Sequence, residues 1–192
     1  MDLYIAIKTN NFHKVCDLLK HFNLAENEFY DDKVSFISLA ILNNCSSLII
    51  EKLIEHGADV NRISFLAYMW PVDGQHFKSF EPALITATRH GNLQICEILL
   101  KHNAKINKAD SFSMTALHWA SSLNLIEIIK ILFKYNADVN LLDLKNRAPL
   151  EKAIFNGHLD ILVIYAKYNL LQSKYREYLL AAIESSNPDL FV

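Results

Sequence analysis

The chain has 192 residues, 52% of them apolar and 21% charged, with a net charge of −2. That composition supplies a core and excludes a disordered tract. The near-neutral balance gives no electrostatic reason to expect nucleic acid.

In chain order, Met1 to Lys8 lacks the basic start and long apolar stretch of a signal peptide. Residues 1–30 carry two short helical patterns, with Leu3 and Ala6 on the first and Val15, Leu18 and Leu19 on the second. Residues 31–61 repeat that arrangement with one extra residue near Asn43 to Cys45, and close on Gly57-Ala58-Asp59-Val60-Asn61. The most apolar charge-free stretch, Ser35 to Ile50, is too short and too polar to span a bilayer, so no membrane insertion is expected. Residues 62–79 interrupt the pattern. Residues 80–107, 108–140 and 141–173 restore it and align without gaps. Ala87, Ala120 and Ala153 recur every 33 residues, as do Leu84, Leu117 and Leu150, and Gly91, Asn124 and Gly157. Residues 174–192 start a further unit, with an inner helix over 177–185 and an outer one beginning at Pro188.

The residues agree with the period. Thr115-Ala116-Leu117-His118-Trp119-Ala120 resembles the Thr-Pro-Leu-His-x-Ala helix start of ankyrin repeats, and Asn136-Ala137-Asp138-Val139-Asn140 and Gly57 to Asn61 resemble their closing motif. The resemblance covers nearly the whole chain. It implies an all-α solenoid of about five repeats plus a partial sixth, a single domain over 1–192, with helix pairs joined by hairpin-like turns. No repeat of this kind buries its apolar faces alone, so stability comes from stacking. The inner helices need small residues where neighbours stack closely. Asn103, Asn124 and Asn136 stand where glycine would turn the chain with positive φ, because Asn tolerates that region next best. The fifth repeat departs from the motif at Tyr168-Asn169-Leu170-Leu171.

Chemistry-bearing patterns are missing. The cysteines Cys16, Cys45 and Cys96 are scattered and match neither a disulfide framework nor a zinc site, which fits a reducing intracellular location, cytoplasmic or nuclear. There is no phosphate loop, nucleophile elbow or His-Glu-x-x-His. No catalytic residue, metal or cofactor is therefore expected, and the chain is read as no enzyme. His118 falls at the structural histidine of the family, which bonds neighbouring loops.

Candidate contact residues come from two places. The insertion 62–79 is long: 21 residues separate Asn61 from Pro82, where 8 separate Asn107 from Thr115. It is aromatic and apolar, and long insertions in solenoids often mark the binding face. Tyr68, Trp70 and Phe77 are its candidate anchors, with Phe80 at its end. The alternative is that Phe65, Leu66 and Trp70 fold back as local core. The second place is the concave face, where the resemblance implies contacts from tips and inner helices: Lys78, Arg89 and His90, then Phe112, Met114, Trp119, Ser122 and Leu123, then Lys145, Arg147, Lys152 and Phe155. Packing between repeats is the competing role for Trp119.

The resemblance implies a monomeric scaffold that binds another protein. A second reading makes the chain the N-terminal recruiting arm of a larger effector or enzyme. It rests on Leu190, Phe191 and Val192, which leave the sixth repeat unfinished where a terminal repeat needs a polar outer face. The Asn-, Ile-, Lys- and Phe-rich composition fits an AT-rich genome, and some bacterial and viral ankyrin proteins engage host proteins.

Overall fold

The computed structural model describes residues 2–22, 24, 29–30, 34–72, 75–177 and 180, and of 29–30, 66–72 and 75–79 the backbone alone. Among these, ten α-helices form five antiparallel pairs. The pairs are α1 (Asp2–Lys8) with α2 (Phe12–Leu19), α3 (Phe36–Leu42) with α4 (Ser47–Glu55), and α5 (Ala83–Arg89) with α6 (Leu93–Lys101). They continue with α7 (Ala116–Ser122) and α8 (Ile126–Lys134), then α9 (Pro149–Phe155) and α10 (Asp160–Lys167). Odd-numbered helices pack on one another as an inner row, and even-numbered helices as an outer row. The sequence reading of an all-α solenoid is the observed architecture. The expected sixth pair lies almost wholly outside the described residues.

The inner row is spaced by alanine. Ala6, Ala40, Ala87, Ala120 and Ala153 occupy one register position of successive inner helices, and none has exposed surface. Their carbonyls have a second task. Each accepts a hydrogen bond of 2.9–3.0 Å from the N–H five residues on: Asn11, Cys45, Asn92, Leu125 and His158 respectively. The residue before each of those donors is left-handed, at Asn10, Asn44, Gly91, Asn124 and Gly157. This bond and the positive φ together make the Schellman ending of a helix. The outer helices α4, α6, α8 and α10 end likewise, at Gly57, Asn103, Asn136 and Asn169. Asn103, Asn124 and Asn136 thus take the glycine conformation, as their place in the repeat requires.

The core lies between the rows. Ile95, Ile98 and Leu99 of α6 and Ile128 and Leu132 of α8 are buried, with Ile131 half-buried beside them. Each full burial contributes roughly 1.5–3 kcal/mol. Tyr165 stands where the earlier outer helices carry Leu53, Leu99 and Leu132, and its ring meets Phe133 edge-on at 4.8 Å.

The closing motifs tie one unit to the next. Asn61 accepts from the Lys105 N–H at 2.7 Å, Asn107 accepts from the Asp138 N–H at 2.9 Å, and Asn140 is bonded by Gln172. That recurrent bond explains why the motif ends on Asn.

The insertion corrects the expectation of a loop. Strands β1 (Phe29–Tyr30) and β2 (Val34–Ser35) form a short antiparallel pair. Then β3 (Ile63–Val72) and β4 (Gln75–Pro82) make an antiparallel ribbon that runs straight into α5.

Ala120→Leu is expected to overpack the inner row and cost about 1–3 kcal/mol. Thermal melting should fall by several degrees. An unchanged midpoint would show that the row is not closely packed at this residue.

Candidate protein-binding surface

The ribbon is anchored at its base. Ser64 and Glu81 are register partners, and both are fully buried. The Ser64 hydroxyl donates to Ser38 Oγ at 2.8 Å and accepts from the Ser35 N–H at 3.1 Å, which fixes β3 to the start of α3. Glu81 accepts from the Thr86 hydroxyl at 2.8 Å and from Arg89 at 3.1 Å, which fixes β4 to α5. Above this base the Phe65 and Phe80 rings meet at 4.9 Å. Farther out, Tyr68 pairs with Phe77 and Ala67 with Lys78, and the register becomes irregular before Val72 meets Gln75. Trp70 falls in that irregular stretch. The side chains of Tyr68, Trp70, Phe77 and Lys78 lie outside the described ones. Phe65 is half-buried, and its ring contact is with Phe80 of the same ribbon.

The ribbon continues into the tips of the next units. Phe80 and Ser111 exchange two bonds: the Phe80 N–H donates to Ser111 Oγ at 2.7 Å, and the Ser111 N–H to the Phe80 carbonyl at 3.1 Å. The Leu144 N–H then donates to the Phe112 carbonyl at 3.1 Å.

Each of these tips is organised by one buried aspartate. Asp110 accepts from the Phe112 and Met114 N–H groups at 2.8 and 3.0 Å. Asp143, one repeat later, accepts from the Lys145 and Arg147 N–H groups at 2.8 and 3.0 Å. The second oxygen of Asp110 receives the Trp119 indole N–H at 2.8 Å, and the Arg89 guanidinium lies over the Trp119 ring at 4.5 Å. Glu81, Arg89, Trp119 and Asp110 therefore form one chain of contacts from the ribbon to the fourth unit. The second oxygen of Asp143 receives Arg147 Nε and Nη2 at 3.1 and 2.9 Å.

Two matches of the ankyrin pattern to the sequence, taken together with this stack, decide the family. A model of ankyrin repeats in three copies matches residues 65–143 and 84–172. The chain belongs to the ankyrin-repeat family. No curated protein matches the sequence. Ankyrin repeats generally mediate protein–protein interaction, and their domains are typically non-catalytic.

Against that ankyrin frame, the expected contact residues divide. Leu123, Phe80, Phe155, Lys145 and His90 are exposed. Trp119, Arg89, Arg147 and Phe112 are half-buried, and the first three are committed to the contacts above. Met114 is a correction. Its N–H is drawn onto Asp110, which turns the residue inward, and it is buried. Two exposed tip residues, Leu142 and Leu144, escaped the sequence reading. Their signal was their place beside Asp143, which recurs 33 residues after Asp110.

His118 bonds the next loop as the ankyrin pattern implies. Its Nε2–H donates to the Arg147 carbonyl at 3.1 Å, and its Nδ1 accepts from the Thr115 N–H at 3.1 Å. Those partners assign the neutral tautomer. Burial holds the imidazole below its usual pKa, and the Arg147 carbonyl and the charge of Asp143 oppose it more weakly. Burial pushes the Asp143 carboxyl up, but bonds from Arg147 and the Lys145 N–H outweigh it and leave it lowered. Burial pushes the Cys96 thiol up to about 11 and raises Cys45. Among the described residues no group of three His, Cys, Asp or Glu could hold a metal ion. No helix among them is long and apolar enough to cross a membrane.

Arg89→Ala removes the ion-pair partner of the Glu81 carboxylate, which has no exposed surface, at a cost of about 3–5 kcal/mol. Adding Glu81→Gln should recover part of the lost melting temperature, and a double variant no better than the single one would dissolve the pairing. A second outcome concerns pH. The unfolded chain protonates position 118 near pH 6.5, whereas the folded chain resists. Stability is complete above that pH and falls as pH drops through it. In His118→Leu, which starts less stable, the slope between about pH 6.5 and 5 should be flatter.

Proposed function

We propose that the chain is a non-catalytic scaffold that holds a partner protein against its inner face and the adjoining ribbon. The observation that carries this reading is where large apolar side chains stay in water. Phe80, Leu123, Leu144 and Phe155 are 55%, 43%, 67% and 77% exposed, and they stand on the ribbon, a tip or inner-helix ends. The outer row leaves fewer, at Leu48, Leu93 and Tyr168, each at a helix end. It carries instead local ion pairs, Lys52 with Glu55, Lys101 with Glu97 and Lys130 with Glu127, which suit a solvated face. Apolar surface gathered on one side of a stack, with basic residues at its margin, is the composition of a protein-binding patch.

The ribbon supports the same reading. Tyr68 and Phe77 are cross-strand partners, and tyrosine and tryptophan are favoured interface anchors. A two-stranded ribbon is marginal alone in water, so a surface that covers it stabilises it. Asp110, His118 and Asp143 are occupied by structural bonds, which fits a role without chemistry.

The test is capture of a partner from cell extract by the intact chain and by two double variants, Trp70→Ser with Phe77→Ser, and Leu123→Ser with Phe155→Ser. Each should weaken capture by about tenfold or more while the helical circular dichroism stays unchanged. Equal capture by all three proteins would remove both surfaces from the reading. Loss of helical signal in the ribbon variant would make the ribbon core.

A further inference from the structure

The inner face has two kinds of cation. Arg147 is spent inside the protein, bonded through two nitrogens to Asp143. Lys145 and Lys152 stand beside it, and among the described residues neither has a carboxylate partner. The acids around them are occupied. Asp110 takes two backbone N–H groups and the Trp119 indole. Glu151 takes the Ala148 N–H at 2.8 Å, Lys174 at 3.0 Å and the Tyr175 hydroxyl at 2.9 Å. Outer-row lysines behave differently, since Lys52, Lys101 and Lys130 each meet a glutamate one turn away.

Lys152 is the more telling of the two. It sits in the middle of α9, at the register position that Trp119 holds on α7, and it is half-buried. Burial, then the like charges of Arg147 and Lys145, push its ammonium below the usual lysine pKa, against the weaker pull of Asp143 and Asp110. Among the described residues Lys152 makes no direct ion pair, because the oxygens of Asp110 and Asp143 are taken by the bonds above. Phe155 follows three residues on, at the end of α9, and Leu123 closes α7, the helix packed against it; both are exposed.

We propose that the surface between α7 and α9 binds an acidic segment of a partner protein, with carboxylates on Lys145 and Lys152 and an apolar side chain against Leu123 and Phe155. This rests on the scaffold reading and specifies its ligand. The charge is local and small, two lysines above two buried aspartates in a chain of net charge −2, so a carboxylate-bearing peptide fits it and a polyphosphate backbone does not. Complementary charge of this kind sets specificity and encounter rate, and apolar contact supplies the remaining affinity.

The test selects a random displayed-peptide library on the full chain and measures labelled selected peptides by fluorescence anisotropy. The variants are Lys152→Gln, the pair Lys145→Glu with Lys152→Glu, and the pair Leu123→Ser with Phe155→Ser, each checked for folding by melting. Selected peptides should be rich in Asp or Glu with at least one large apolar residue, and should weaken as salt is raised. Charge reversal should weaken them by about tenfold or more, with Lys152→Gln between. Neutral or basic selected peptides, or binding that survives charge reversal, would overturn the proposal. So would a labelled oligonucleotide that binds the same lysines as tightly. Peptides lost in the Leu123 and Phe155 pair but kept on charge reversal would leave the scaffold reading standing without this ligand. A library that yields no binder would defeat both.

Discussion

The rest of the molecule is arranged around the distance at which one inner helix crosses the next. At that crossing stand Ala6, Ala40, Ala87, Ala120 and Ala153, each without exposed surface. Seven-residue helices are far below the length at which an isolated helix is stable in water. They exist here because a neighbour lies close enough to exclude water from both. The same alanines supply the carbonyls that close each helix, so one position sets the spacing and also the point where the chain turns back. A larger side chain there disturbs packing and, through the shifted backbone, the helix ending as well.

Close packing of small residues leaves the relative register of units weakly specified, because alanine surfaces are nearly featureless. Polar groups supply that register. Asn61, Asn107 and Asn140 each reach the following unit. His118 reaches the Arg147 carbonyl across one repeat, and Asp110 and Asp143 hold the tips. A hydrogen bond of this sort contributes about 1 kcal/mol net, and losing one partner in a buried site costs more than that. Such bonds penalise a slipped stack more than they stabilise the correct one.

This division explains what was legible in the sequence. The alanine row, the left-handed asparagines and the apolar stripe of the outer helices follow from a 33-residue period, since each repeat solves the same local problem. The unrepeated parts were hidden. Nothing in residues 62–79 recurs elsewhere, so their strand pairing could not be inferred by comparison within the chain, and the Ser35, Ser38 and Ser64 hydroxyls meet across 29 residues or fewer with no motif to announce them. The candidate surface was half legible for a related reason. Exposure of Leu123 and Phe155 follows from their place on the repeat, whereas the inward turn of Met114 depends on where one aspartate oxygen points.

The fate of the basic residues depends on side-chain chemistry that position alone does not reveal. Arg89 and Arg147 occupy places that look like a charged rim. Guanidinium is planar, weakly hydrated and able to bond in two directions while stacking on a ring, so both arginines are drawn into the protein. Arg89 joins Glu81 to the Trp119 face, and Arg147 joins Asp143 to the Phe155 ring at 5.8 Å. Lysine has a compact, strongly hydrated charge and no plane to stack, and among the described residues Lys145 and Lys152 make no ion pair on the same surface. The arginines therefore give the inner face its shape, from the ribbon base at Glu81 to the tip at Asp143. The lysines and the exposed Leu123 and Phe155 are what that shape presents to a partner.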